Sequence, residues 1–415
     1  MQFPKVCLLI TFLLFFDLSG GFSQKIVFEG LKRTKPAYLL KITDWEKHKG
    51  TDSLQLEKVA QSLRNTRLFS EVDFKIEVDN SDTLVIFNTK EVRTLLPILE
   101  VGATENNKWF RLGIKDENGG GKAIRTVFFY QYNDRHSFYL KQSFPFIFKK
   151  LGINYLLRKW SFLEPFSLND GLQYYNYDNL NAELSVNYAF DVNRNELETG
   201  LGFIHEEFIH TMPDIYTESP SKYLQNKISF KAIHNFNHLN YNSFYLDGWA
   251  NTLNILSTYE VNEQMSFVSV FNDFRFFKSV SFKGNLALRS RLGISTNSNV
   301  FLAPFVLDNY FNIRGIGNRV DRGTASIVLN AEYRQTMWEN KTWGIQTVGF
   351  IDSGTWREPN GELKNIVKSE NMIVFGGLGT RLIYKKAYDV ILRLDYGWGF
   401  TGLSQGFVFG IGQYF

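Results

Sequence analysis

The sequence predicts an all-β membrane protein: an antiparallel transmembrane β-barrel of about 16 strands, preceded by one small α+β domain. Aromatic residues make up 16% of the 415 residues and proline occurs only 9 times, a composition that favours strands. Helical periodicity is confined to the first part of the chain, and long alternating segments follow it. The mean hydropathy of −0.21 excludes a bundle of apolar membrane helices. The 46 basic and 42 acidic residues are nearly balanced, so no nucleic-acid partner is expected.

The N-terminal segment has the layout of a secretory signal peptide. Lys5 precedes the apolar run Val6–Phe16, which is too short for a membrane-spanning helix, and a small-x-small site follows before Gln24. We therefore expect residues 1–23 to be removed on export. The only cysteine, Cys7, lies inside this segment, so the mature chain is expected to lack disulfides, thiol catalysis and cysteine-bound metals.

Residues 24–93 predict the small α+β domain. Apolar residues recur at three- and four-residue spacing in one helix, and alternate in the strands around it. The predicted elements are a strand at Lys25–Gly30, a short helix from Pro36, a helix capped by Ser53, and strands at Phe69–Asp79 and Thr83–Val92 joined by the turn Asn80-Ser81-Asp82.

From residue 94 to residue 415 the sequence predicts the barrel. The segments Asn181–Phe190, Thr324–Arg334 and Asp389–Phe400 each alternate a large apolar face with a polar or glycine-containing face. They run about 10 residues, the length of a tilted membrane-spanning strand. Backbone groups in hydrocarbon need internal partners, and without apolar helices only a closed barrel supplies them. A secreted β-sandwich is the alternative, although its strands are usually shorter.

We find no constellation of catalytic, cofactor-binding or metal-binding residues. The histidines of His205–His210 resemble a zinc-protease helix, but the second comes one residue late, so we interpret both as loop or rim residues. The Gly-rich segment Glu117–Ala123 lacks the spacing of a P-loop and is interpreted as a turn. The sequence therefore predicts a protein that is not an enzyme and binds neither a cofactor nor a metal.

Two separate segments suggest a charge pair inside the barrel. Arg314 is a lone cation in the loop-like stretch Asn312–Gly317. Asp352 ends a strand in which it shares a face with Gln346, so it is expected to point into the lumen. A guanidinium can bind a carboxylate through two hydrogen bonds, but spacing alone leaves open an unrelated loop arginine and turn aspartate.

These motifs resemble those of the bacterial surface antigen superfamily, the BamA- and TamA-like outer-membrane assembly barrels and the two-partner secretion transporters. The resemblance covers essentially the whole mature chain. Residues 24–93 resemble a single POTRA domain, through Ile26–Gly30, Leu68–Val72 and Glu91-Val92. The resemblance implies that the loop folds back into the barrel and that its arginine meets the wall aspartate. The residues of this lumenal loop lock are Ile313, Arg314, Gly315, Ile316, Phe350, Asp352 and Gly354, with Ile316 at a position that is usually aromatic.

The last ten residues, Gly406–Phe415, predict the closing strand of the barrel. Alternation places one set of residues on the lipid face: Phe407, Phe409, Ile411, Gln413 and Phe415. The glycine-rich set is expected on the lumenal face: Gly406, Val408, Gly410, Gly412 and Tyr414. Gln413 is then expected near the membrane interface, or at a weakened seam with the first barrel strand. Gly410 and Phe415 resemble the targeting signal at the end of outer-membrane barrels.

The expected function is the insertion or translocation of other polypeptides at the outer membrane of a Gram-negative bacterium. The expected partners are outer-membrane lipids, unfolded outer-membrane or secreted polypeptides, and accessory periplasmic proteins. A periplasmic POTRA domain could receive a client strand at its sheet edge. A passive pore or ligand transporter is the alternative, and an outer-membrane enzyme is a third, weaker hypothesis.

Overall fold

A computed structural model describes residues 24–43, 45, 52–79, 82–103, 108–168, 171–192, 194–211, 221–297, 303–307, 311–316, 322–400 and 404–415. The predicted signal peptide lies outside this set, as do Asn80 and Ser81 of the predicted turn. No helix among these residues combines the length and the apolar character needed to cross a membrane.

The first unit of the fold is a three-stranded sheet with two helices. Its elements are β1 (Gln24–Glu29), α1 (Pro36–Thr43), α2 (Ser53–Asn65), β2 (Phe69–Asp79) and β3 (Asp82–Glu91). The strand order is β1-β3-β2, with β1 parallel and β2 antiparallel to β3. The predicted order of strand, helix, helix, strand, strand is confirmed, and β1 and β2 are the edge strands of the sheet.

Both helices and the central strand contribute apolar side chains to the core of this unit. Leu39 of α1, Leu56 and Leu63 of α2 and Phe87 of β3 are fully buried. Leu56 and Leu63 are two turns apart and therefore lie on the same face of α2.

The predicted cap of α2 is wrong by one residue. The N-cap is Asp52 rather than Ser53, and its Oδ1 accepts a hydrogen bond from the backbone N–H of Leu54 at 3.2 Å. Aspartate and serine cap helices about equally well, and helical periodicity does not fix which of two adjacent residues is the cap.

The rest of the chain forms a closed antiparallel barrel. Its strands are β4 (Leu95–Ala103), β5 (Lys108–Gly119), β6 (Ile124–Tyr132), β7 (His136–Phe148), β8 (Leu151–Leu168), β9 (Gly171–Asp191), β10 (Asn195–His210), β11 (Lys222–Asn237), β12 (Asn240–Asn242), β13 (Tyr245–Glu260), β14 (Met265–Ser281), β15 (Gly284–Ser295), then, after the two-stranded sheet of β16 (Phe305–Val306) and β17 (Arg322–Gly323), β18 (Ala325–Glu339), β19 (Trp343–Arg357), β20 (Ile373–Tyr384), β21 (Val390–Gly399) and β22 (Gln405–Ile411).

In the part of the chain that the structure describes, the ring contains sixteen strands of seven or more residues and the three-residue β12, and it closes where β22 meets β4. Short 3-10 helices at Leu363–Val367 and Ser369–Asn371 connect β19 to β20. The predicted fold class is therefore confirmed.

The barrel wall has an apolar outer face and a polar inner face. In β18 the side chain of Leu329 is exposed outward, whereas Asn330, Glu332 and Arg334 are buried inside. The predicted alternation also holds in β9 and β21: Leu184 and Leu392 are exposed outward, whereas Asn181 and Asp395 are buried inside. An apolar outer wall of this kind suits a lipid environment.

The α+β unit lies across one opening of the barrel, which we call the proximal end. The guanidinium of Arg33 binds Asp116 near the end of β5, with Nη2 and Oδ2 2.6 Å apart. The amide of Gln61 in α2 donates to the carbonyl of Tyr241 in β12 at 3.1 Å. A third contact joins Arg67 to Asp389 of the β20–β21 turn at 2.5 Å. The three contacts lie at well-separated points around the ring, at β5, β12 and the β20–β21 turn, so the unit spans the opening.

Arg67 forms the most elaborate of these contacts. Its guanidinium carbon lies 5.0 Å from the ring centroid of Tyr241 and 4.9 Å from that of Tyr388. Burial acts to lower the pKa of Arg67, but the neighbouring Asp389, Tyr388 and Tyr241 raise it above the ordinary value. The side chain therefore stays charged and joins two turns of the barrel to the α+β unit.

Candidate functional site

The segment Phe311–Ile316, which we call the inserted loop, lies inside the barrel. Ile313, Arg314 and Ile316 of this segment are buried. The two isoleucines pack against the inner wall in an apolar cluster with Leu307, Val328, Trp356, Ile373 and Phe375. The apolar contacts hold the loop against β18, β19 and β20 and place the arginine between them.

Arg314 binds Asp352 through three hydrogen bonds. Its Nε donates to Oδ2 at 2.8 Å, its Nη2 donates to Oδ1 at 2.9 Å, and its backbone N–H donates to Oδ2 at 3.0 Å. Both side chains have a relative exposure of 0%. The contact expected from the sequence is therefore present, and it is two-pronged and fully buried.

Glu332 of β18 is a second carboxylate partner, which the sequence reasoning did not assign to the site. Nη1 of Arg314 donates to its Oε2 at 2.7 Å. The other carboxylate oxygen accepts from Nε of Arg334, two residues along the same strand. The signal available in the sequence was parity, because Glu332 and Arg334 stand on the polar face of a predicted strand.

The network continues onto β20 and β21. Nη1 of Arg381 donates to Oδ1 of Asp395 at 2.7 Å, and Oδ2 of Asp395 lies 3.9 Å from Nη1 of Arg314. Arg393 lies 3.6 Å from the same carboxylate. The inserted loop therefore joins a network of buried charges that extends across four adjacent wall strands, β18 to β21.

Two aromatic rings pack against the Arg314 guanidinium. Its central carbon lies 3.6 Å from the ring centroid of Phe350 and 4.2 Å from that of Tyr414. Stacking and ion pairing together fix the plane of the guanidinium, a geometry that lysine cannot reproduce.

Two glycines allow the loop and the wall to approach closely. Gly315 has a φ of +89°, and a Cβ there would lie 2.5 Å from the carbonyl oxygen of Gly397. A Cβ on Gly354 would lie 2.6 Å from Cδ1 of Ile313. All seven residues assigned to the loop lock from the sequence thus lie in one region of the lumen.

The chain turns into the lumen after β22, which contradicts the predicted ten-residue closing strand. β22 ends at Ile411, and Gly412 has a φ of +92°. The residues that follow, the tail segment Gly412–Phe415, no longer obey the alternation. Phe407, Phe409 and Ile411 are exposed outward and Tyr414 is buried inside, both as predicted.

The predicted positions of Gln413 and Phe415 are therefore wrong. The amide of Gln413 accepts from Nε of Arg381 and donates to Gln346 at 3.1 Å each, which places it in the lumen rather than at the membrane interface. The ring of Phe415 lies 6.3 Å from that of Phe277, and its carbonyl accepts from Nη2 of Arg334 at 2.9 Å. Gly410 remains in β22, with its Cα facing the guanidinium of Arg393.

The histidines that the sequence placed in a loop or at a rim lie in β10. His205 contacts Asn226 at 2.7 Å, and His210, the last residue of the strand, contacts Gln173 at 2.9 Å. The residues between them continue the alternation, so the two rings point to opposite faces. No group of three potential metal ligands occurs in the part of the chain that the structure describes.

The fold is similar to those of solved outer-membrane barrels at low sequence identity. BamA from Haemophilus ducreyi lacking POTRA domains 1-3 aligns with a TM-score of 0.55 and 15% identity, over 94% of this chain and 84% of that chain. CdiB from Acinetobacter baumannii aligns with a TM-score of 0.55 and 13% identity, over 94% and 74%. CdiB from Escherichia coli aligns with a TM-score of 0.54 and 14% identity, over 93% and 72%. No family model matches the sequence, and no curated protein matches it.

Proposed function

We propose that this chain is a non-enzymatic outer-membrane protein of the bacterial surface antigen superfamily that inserts polypeptides into the membrane or passes them across it. The supporting observation is the buried contact of Arg314 with Asp352 inside a closed barrel. It joins the two motifs on which the resemblance rests. The similar folds of BamA and CdiB are compatible with either activity.

In this proposal the α+β unit is one POTRA domain in the periplasm. Its element order, its mixed sheet and its position over the barrel opening support the assignment. The outer edge of β2 at Phe69–Asp73 borders a cavity of about 830 Å³ that extends to Tyr414 in the lumen. A client strand that pairs with this edge would lie on a path from the periplasm into the barrel.

Arg64 already occupies part of the β2 edge. Its Nη2 donates to the carbonyl of Val72 at 3.1 Å. A client strand would have to replace this hydrogen bond with one of its own, so the edge is protected when no client is present.

The junction of β4 and β22 is the part of the wall that we expect to open. β22 has seven residues and β4 has nine, whereas β9 has 21. Each residue of a strand supplies at most one ladder hydrogen bond per neighbour on average, so a short strand can be separated at lower cost. Beyond the inward turn at Gly412, whose N–H still donates to the carbonyl of Ile391 at 2.7 Å, the last three residues leave the strand.

A passive pore is a weaker candidate. The inserted loop lies in the lumen and the α+β unit spans the proximal opening, so free diffusion of solutes would meet two obstacles.

Reconstitution tests the proposed function. Liposomes that contain the protein should accelerate the folding of an added, unfolded outer-membrane barrel, measured by heat-dependent gel migration and protease resistance. Liposomes that contain the Arg314→Ala variant at equal density provide the control. Folding at the rate of empty liposomes, together with rapid entry of small solutes, would instead support the pore.

A further inference from the structure

The turns at the proximal end of the barrel are rich in basic residues. Between the strands that end there, the chain places Lys122, Lys149, Lys150, Arg194, Lys283, Lys341, Lys385 and Lys386. Asp389 is the one acidic residue among these described turns, and Arg67 of the α+β unit already pairs with it. Positive charge is therefore concentrated around this opening.

The opposite end of the barrel lacks this excess in its described connections. Taken together, the segments joining β6 to β7, β13 to β14 and β19 to β20 contain five acidic and three basic residues. Each of their basic side chains is paired: Lys364 with Glu362 at 2.6 Å, Lys368 with Glu370 at 3.7 Å, and Arg135 with Asp178 of β9 at 3.7 Å. The charge of the two ends is thus unequal.

Four of the proximal lysines are exposed and have no ion pair with any described residue: Lys122, Lys149, Lys341 and Lys386. By contrast, Lys283 and Lys385 share Glu339, with Lys385 Nζ 2.5 Å from Oε2. The four exposed cations lie on four different turns and can interact with anions outside the protein.

Exposed phenylalanines accompany the lysines. Phe282, in the β14–β15 turn, is 87% exposed, and Nζ of Lys283 lies 5.5 Å from its ring centroid. Phe148, at the end of β7, is also exposed, and Nζ of Lys149 lies 5.4 Å from its ring. An exposed phenylalanine ring at a turn tip is unfavourable in water, whereas a ring with an ammonium group beside it suits the boundary between hydrocarbon and headgroups.

We propose that these turn tips, which we call the proximal rim (Lys122, Phe148, Lys149, Phe282, Lys341 and Lys386), bind the phosphate groups of anionic phospholipids in the surrounding leaflet. The rings would enter the interface and the ammonium groups would meet the headgroup phosphates. This assignment goes beyond the proposed function, because it requires only that the barrel lies in a bilayer. A lysine near an anionic leaflet strengthens association by about fivefold.

Spin-labelled lipids test the proposal directly. The full chain is reconstituted in phosphatidylcholine bilayers that contain a trace of spin-labelled phosphatidylglycerol or phosphatidylcholine, and the motionally restricted fraction is measured for each label. The wild type should restrict more phosphatidylglycerol, and high salt should reduce the difference. The variant Lys122→Gln/Lys149→Gln/Lys341→Gln/Lys386→Gln should lose most of the preference while its barrel still migrates as a folded species.

The matched control removes two lysines from the other end, as Lys364→Gln/Lys368→Gln, and should keep the preference. Should the fourfold variant fail to fold, Lys149→Gln and Lys341→Gln singly should each lower the preference by up to about fivefold. Equal restriction of the two labels by the wild type would overturn the proposal, as would an equal loss in the control. Either result would favour a different interpretation, in which these lysines bind an acidic protein surface.

Discussion

The guanidinium carbon of Arg314 lies 4.2 Å from the ring centroid of Tyr414, so the inserted loop and the tail segment meet at one side chain. The same guanidinium binds Asp352 on the barrel wall at 2.8 Å. A cation that is paired on its edge and stacked on its face couples the position of the loop to that of the tail. We therefore expect changes at Arg314 to affect residues that follow β22.

Replacing Arg314 by alanine should impair function while the barrel remains folded. The change leaves Asp352 and Glu332 buried without this cation, which costs about 3–5 kcal/mol of loop docking, whereas the strand ladders are untouched. Arg314→Lys should restore function only in part, because the ammonium cannot form the two-pronged contact. Heat-dependent gel migration reports the barrel, and a client-insertion assay reports function.

The matched control for this change is Arg111→Ala on another part of the lumen. Arg111 pairs with Glu100 at 2.7 Å, and it is half-buried rather than fully buried. Equal loss of activity in both variants would show that any lumenal arginine matters, and would remove the special role of the lock.

Gly315→Ala should resemble Arg314→Ala in its effect. Alanine at a φ of +89° is strained, and its Cβ would lie 2.5 Å from the Gly397 carbonyl oxygen. The strain alone costs about 1 kcal/mol or more. Gly120→Ala separates strain from collision, because Gly120 also has a positive φ (+60°) but has no atom within 4 Å of the built Cβ. Normal activity of Gly315→Ala in the client-insertion assay would contradict the close packing described here.

Tyr414→Ala should release the tail segment from the lumen. The ring stacks on Arg314 and lies 4.9 Å from the guanidinium carbon of Arg393, and such contacts contribute about 2 kcal/mol each when desolvated. Since Cys7 is the only natural cysteine and falls in the predicted signal peptide, Gln413→Cys provides a single probe. Maleimide should label it faster in the Tyr414→Ala background, and Tyr414→Phe should label like the wild type. Unchanged labelling would show that other contacts hold the tail.

Arg67→Gln should loosen the α+β unit from the barrel. The change removes the ion pair with Asp389 and the stacking on two tyrosine rings, together about 1–2 kcal/mol. Asn65 and Asn240 have side-chain atoms 3.3 Å apart, so a cysteine at each position reports docking through disulfide formation. Oxidation should be slower with Arg67→Gln. If the disulfide-locked protein keeps full activity, movement of the unit is unnecessary for function.

Deleting Phe415 should reduce assembly into the membrane without affecting export. The ring packs in the lumen with Leu239, Phe277 and Ala287, and loss of this contact leaves the end of the barrel poorly anchored. Phe407→Ala, on the outer face of β22, is the control for a general loss of aromatic surface. Membrane fractionation and gel migration measure the outcome, and normal assembly of the truncated chain would disprove a targeting role.

Much of the fold could be predicted because strand alternation is a direct consequence of the pleat and of two different environments. The face of Asp352 followed from parity, and its pairing with Arg314 followed from the resemblance. Strand alternation places Glu332 on the inner face of the wall. It does not show that Glu332 lies next to Arg314, because alternation says nothing about where a loop lies within the lumen.

The tail segment could not be predicted for a different reason. The prediction continues the strand alternation past Gly412. In the structure, the positive φ of Gly412 ends the extended conformation, so the side chains of Gln413 and Phe415 point into the lumen. A glycine in a short apolar segment is compatible both with a continued strand and with a turn out of it. The cap of α2 likewise depended on two adjacent residues of similar propensity, Asp52 and Ser53.

The most direct test of the central claim is depletion of the protein in its own cell, followed by a quantitative census of the outer-membrane and surface proteins. We predict that a defined set of client proteins is lost, and that expression of the wild type, but not of Arg314→Ala, restores them. An unchanged census with reduced uptake of small solutes would contradict the account and establish a pore.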